Sequence, residues 1–142
     1  MQTYSEIGQD EARLAIDTCL AELQARGKAA VIAVGDRHGE LIALLRMDGA
    51  PLPSVLVAAN KVYTTARERR ASGDVGRAAR AEGWDVAFFG DPRYIGWEGG
   101  ALIRRGGQVL GAVSVSGLAG EEDFEIAQKG VDAVLAHIAA HG

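Results

Sequence analysis

The sequence predicts an α/β fold in which helices cover a mainly antiparallel sheet. Three observations carry that prediction: two apolar hairpins of strand period, amphipathic stretches of helical period around them, and no βαβ unit with a glycine-rich phosphate fingerprint. With 142 residues, 48% of them hydrophobic, the chain can bury one sizeable core. Two cores would each be marginal, so a single domain over residues 1–142 is expected.

The first element is a helix from Ile7 to Arg26, where Ala12, Ile16, Cys19, Leu20 and Leu23 recur at helical spacing and Gly27 ends the run. Ala29 to Val34 is then short, apolar and β-branched, which makes it a strand. Asp36-Arg37-His38-Gly39 reads as a hairpin turn into a second strand, Glu40–Arg46, and the pair is expected to be buried on both faces for much of its length. Met47–Pro53 breaks both periods, and Ser54 is placed as the cap of a second helix running to about Arg70. A short helix over Asp74–Glu82 follows, then an irregular stretch from Trp84 to Gly99 that carries most of the aromatic residues. Ala101–Arg105, Gly106-Gly107 and Gln108–Val115 form a strand, a tight turn and a strand. Glu121-Glu122-Asp123 opens the last helix, whose inner face is Phe124, Ala127, Val131, Val134 and Ile138 and which is expected beside the first helix.

Composition narrows the function classes. One cysteine, Cys19, excludes an intramolecular disulfide framework and a multi-cysteine metal site within the chain, and no C-x-x-C-H run exists for covalent haem. The balance of 15 basic against 19 acidic residues argues against nucleic acid as the main partner. No apolar run is long enough for a spanning helix and the first residues lack a signal-peptide pattern, so a cytoplasmic protein without membrane contact is expected.

Several residues are placed where chemistry can happen. Arg46 and Asp48 flank a strand end, where an arginine can clamp a carboxylate bidentately; an internal pair of Arg46 with Asp48 or Glu98 accounts for them equally well. Ser54 and Lys61 lie two helical turns apart on one face and can approach the same crevice, although a helical lysine is often merely solvated. Glu98 is a candidate general acid or base if Trp84, Phe88 and Trp97 dehydrate it. Asp91 and Arg93 bracket Pro92, where a loop salt bridge competes with substrate binding. Gly111–Gly117, with Ser116 near its end, admits close backbone approach by a ligand or by a packed helix. Glu121, Glu122 and Asp123 suit a helix N-terminus without any catalytic duty. His137 and His141 share a face of the last helix near its end, a weak metal motif, and no metal site is assigned. Five arginines between Arg67 and Arg80 make that stretch basic, suited to an anion or to a solvated face.

Ala33-Val34-Gly35-Asp36-x-x-Gly39-x-Leu41-x-Ala43-x-x-Arg46-Met47-Asp48-Gly49-Ala50, followed by Ser54, Lys61 and Thr65, resembles the front half of the GlcG/HbpS family. Gly99-Gly100, the run Gly107–Gly117 and Glu122-Asp123-x-x-x-Ala127 are similar to its back half. The resemblance implies a profilin-like α/β/α sandwich with a five-stranded antiparallel sheet, homo-oligomers, and members that bind or degrade haem, with a related domain at the C-terminus of PduO cobalamin adenosyltransferases. The segment from Phe88 to Glu98 resembles a subset with a DPR…GW…GG run, which looks like the lining of a small-molecule pocket. The expected function is therefore small-ligand binding, with non-covalent haem as one ligand. The alternative is a cofactor-independent isomerase or lyase acting on a small carboxylated metabolite. In that scheme Glu98 and Asp48 are catalytic, and Arg46, Ser54, Lys61, Arg93, Trp97, Gly99, Gly100 and Ser116 bind substrate. A module that only docks partners is a third possibility.

Overall fold

In a computed structural model describing residues 1–141, α1 (Gln9–Ala25) leads into the hairpin β1 (Val31–Gly35) and β2 (Leu41–Arg46). Helices α2 (Ser54–Glu68) and α3 (Ser72–Glu82) follow, then a 3-10 turn at Val86–Phe89, the hairpin β3 (Gly100–Arg105) and β4 (Gln108–Ser116), and α4 (Gly120–His141). The strands lie in the order β2-β1-β4-β3, and all three pairings are antiparallel. No helix among the described residues is long and apolar enough to cross a membrane.

Alternation along the strands makes two cores. Ile32 and Val34 of β1, Val113 and Val115 of β4, and Ala101 and Ile103 of β3 pack with α1 and α4 on one face. Val31, Ala33 and Ala112 face the opposite way, onto Ala58, Val62 and Ala66 of α2. The small residues of α2 bring its backbone near the sheet, close enough for the Ser114 hydroxyl to donate to the Ala58 carbonyl at 2.7 Å. At the α1–α4 crossing a Cβ on Gly130 would lie 2.8 Å from the Cys19 sulfur, so glycine sets the approach of the two helices.

Three expectations are corrected. The sheet has the four strands read from the sequence rather than the five that the family resemblance implied. Residues 84–99, before β3, spend their backbone groups on turns and side-chain contacts: Arg93 N–H donates to Asp91 and Ile95 N–H to Thr64. Pro92 has no N–H to give to a ladder. Second, the first hairpin is not buried on both faces for much of its length, since no residue of β2 is fully buried. Strand β1 is, being central, whereas β2 is an edge strand with Leu41 exposed. Third, Ser54 does not cap α2: Pro53 occupies that position, and no side-chain capping bond forms.

Candidate functional site

The register of the sheet fixes where a site can form. Val31 sits opposite Arg46 on one side and Ser116 on the other, so all three point toward the α2 face at one end of the sheet. There β4 runs out through Gly117 toward α4, and the Met47–Pro53 loop turns into α2. The two corners meet, since a Cβ on Gly117 would lie 3.2 Å from Pro51. Beside that contact is a cavity of about 410 Å³, lined by residues that include Ser54 and Lys61 of α2, Trp97 and Glu98, Ser116, and Asp123 of α4.

Its innermost feature is a buried ion pair. Lys61 Nζ lies 3.2 Å from Asp123 Oδ2 and donates to the Val115 carbonyl at 2.9 Å, and each side chain belongs to a residue only 2% exposed. Asp123 Oδ1 also accepts from Leu118 N–H at 3.0 Å. Burial dominates both groups: it pushes the Lys61 ammonium below the ordinary lysine range and the Asp123 carboxyl above the ordinary carboxylate range, while each partner's charge pulls the other way. Among the described residues Lys61 Nζ has two acceptors for three N–H groups.

The glycine pair before β3 makes this possible. Gly99 has φ +132°, and a Cβ there would lie 2.5 Å from Lys61 Nζ and from the Val115 carbonyl oxygen. A side chain would evict the ammonium. A Cβ on Gly100 would collide with Thr65 Oγ1, and its N–H donates to Ser72 Oγ at 3.0 Å. Both glycines thus shape the wall behind the lysine rather than the cavity lining.

Two hydroxyls complete the polar lining. Ser54 is 6% and Ser116 4% exposed, and neither side chain has a hydrogen-bond partner among the described residues. Both oxygens are open to the cavity, so each can offer its hydroxyl to a ligand there. The N-termini of α2 and α4 open onto the same cavity and add partial positive charge.

The remaining candidates divide. Glu98 lines the cavity, but its carboxylate pairs with Arg77, itself paired with Asp74 at 2.6 Å. The apolar hood expected over Glu98 is not there: Trp97 is 65% and Phe88 79% exposed, and Trp84 packs edge-on against Phe89. Arg46 and Asp48 are exposed, lie outside the lining, and form no ion pair with each other or with Glu98 among the described residues. Arg93 belongs to another cluster. Its guanidinium lies 3.9 Å from the Tyr63 ring centre and 3.2 Å from Asp91, whose carboxyl is lowered to about 2, chiefly because Tyr63 Oη donates to it at 2.6 Å.

Asp123 is the site residue that charge pattern alone did not single out. Of the acidic triplet opening α4 it is the buried member, four residues before buried Ala127 and eight before Val131. That spacing was the available signal. For a metal, the described residues bring together one group, exposed Glu6 and His38 with half-buried Asp36, in which Asp36 Oδ1 already accepts from the N–H groups of His38 and Glu40.

Residues 7–132 match the family described as haem degrading protein HbpS-like. The chain belongs to the HbpS-like family. It is 35% identical over 116 residues to Protein GlcG of Escherichia coli strain K12, covering 82% of this chain and 85% of that one. The crystal structure of Klebsiella pneumoniae protein ORFY superposes with a TM-score of 0.88 at 26% identity, over 96% of this chain and 95% of that chain. PduOC, solved as a haem complex, superposes at 0.82 with 21% identity, over 90% of this chain and 94% of its own, a likeness of fold. Within the HbpS-like family, then, this member carries a buried lysine–aspartate pair at the head of a small polar cavity.

Proposed function

We propose that the protein binds a small hydroxy- or oxo-carboxylate in the Lys61 cavity. The observation that carries this reading is the set of three buried polar groups around one volume: an ammonium with an N–H to spare and the unpartnered hydroxyls of Ser54 and Ser116. A carboxylate supplies the acceptors these donors lack, and two helix N-termini favour its charge. A hydroxyl on the ligand can donate to Glu98 across the cavity. Lactate and pyruvate are suitable probes: each should raise the melting temperature saturably, and K61M should abolish the rise. No shift with either probe removes the reading.

Haem does not fit this cavity. Its lining has no histidine, methionine, cysteine or tyrosine to ligate iron, and Cys19 is buried, its thiol pushed up to about 12 by burial. His137 and His141 stack on each other at the exposed end of α4, and His38 lies in the β1–β2 turn. Saturable hemin binding that survives K61M and is lost in His38→Ala would place haem elsewhere on the chain.

The enzymatic reading shifts to other residues. With Asp48 outside the cavity and Glu98 held by Arg77, the groups suited to moving a proton are Lys61 and Asp123, both displaced toward neutrality. Deuterium incorporation into bound lactate or pyruvate, followed by proton NMR, tests it. Self-association is expected through Leu52, Leu56 and Trp97, large exposed apolar groups of which Trp97 lines the cavity and the two leucines adjoin its lining residues Pro53 and Val57 in sequence.

A further inference from the structure

A second cavity, of about 400 Å³, lies away from the Lys61 site, where the end of α2 approaches the β1–β2 turn. Three arginines line it: Arg37 from the turn, Arg67 from the last turn of α2, and Arg69 just beyond it, with Tyr94 and Val109 as its aromatic and aliphatic wall. The sequence separates Arg37 from the others by thirty residues or more, so only the fold brings the three together.

None of the three has a carboxylate partner among the described residues, a condition shared with other surface arginines; what sets these apart is that they converge on one cavity. Their contacts hold the guanidinium groups without neutralising them. Arg37 lies 4.1 Å from the centre of the Tyr4 ring, and its Nε is buried with no acceptor. Arg67 lies 4.7 Å from the Tyr63 ring centre and donates through Nε to Tyr94 Oη at 3.2 Å. The nearby carboxylates of Glu6 and Asp36 accept from backbone N–H groups instead.

Arg69 adds an independent observation. At φ 57° and ψ 35° it is the only non-glycine residue at positive φ among the described residues, in the position ending α2 where glycine is the unstrained choice. Its carbonyl is held by Arg104 at 2.8 Å. Arginine rather than glycine at this position places a guanidinium, with no side-chain partner among the described residues, at the cavity wall.

We propose that this cavity is a second binding site, for a compact dianion carrying either a phosphate group or two carboxylates, gripped by Arg37, Arg67 and Arg69. Planar guanidinium forks from three directions match the several oxygens of such a group and exceed what one carboxylate needs.

Calorimetry at low salt and slightly alkaline pH with inorganic phosphate, succinate and acetate tests it. Phosphate or succinate should bind saturably, one per chain, with acetate weaker by about tenfold or more. Tighter phosphate assigns the phosphate class, tighter succinate the dicarboxylate class. Arg69→Gly should weaken the dianion by about tenfold while leaving the melting temperature unchanged or higher, because it removes the strain. Arg67→Lys, which keeps the charge and loses the fork, should also weaken it. K61M should retain it, separating this site from the Lys61 cavity. Absence of saturable binding, acetate equal to the dianions, unchanged affinity in Arg69→Gly, or loss of binding in K61M overturns the proposal.

Discussion

Lys61 and Asp123 give up their hydration together, and each is less stable as an ion for doing so. Removing one partner strands the other, so Lys61→Ala and Asp123→Ala should each cost about 3 kcal/mol in urea unfolding, and the double variant should cost clearly less than their sum. The pH dependence has a definite sign. In the unfolded chain a lysine keeps its proton up to 10.5, whereas folded Lys61 releases it earlier, so across that window the unfolded state binds more protons and stability rises with pH. Folded Asp123 holds its proton above the ordinary 3.8, so between that value and its raised one stability falls as pH rises. The advantage of wild type over K61M/D123A should therefore be least near neutrality and grow toward both limits; a monotonic dependence contradicts this. The helical spacing that puts Ser54 and Lys61 on one face was legible in the sequence. Burial of the lysine was not, because it depends on Gly99 passing above it and on Asp123 arriving from another helix.

Among the elements, α2 was readable nearly to its ends because its apolar stripe, its small residues and the prolines before it agree. The segment between α3 and β3 was not, since what holds it is nonlocal. Gly76 of α3 leaves the space that the Gly96 backbone occupies, and Gly73 the space of the Glu98 carboxylate. Gly73→Ala would place a methyl 2.5 Å from that carboxylate, so it should displace Glu98 and weaken whatever ligand hydrogen-bonds to it, read as a smaller probe-induced melting shift with an intact fold. At the α1–α4 crossing, Gly130→Val should cost about 2 kcal/mol in thermal unfolding, as the branched side chain meets Cys19 and Val113.

For the whole molecule, exposed apolar side chains at Leu52, Leu56 and Trp97 predict association. Light scattering should give a mass above that of one chain, and Leu56→Glu should lower it; a strict monomer in wild type contradicts the expectation. The order of helices and hairpins, the antiparallel sheet and the family follow from the sequence alone, because apolar periodicity, turn residues and two ordered motifs are local signals. Only the tertiary structure decided that Arg46 and Asp48 stay in solvent while Lys61 does not, and that Arg37 joins Arg67 and Arg69. Those outcomes turn on which distant backbone fills or vacates the space beside each side chain, and residue type and spacing along the chain do not encode that separately from the fold.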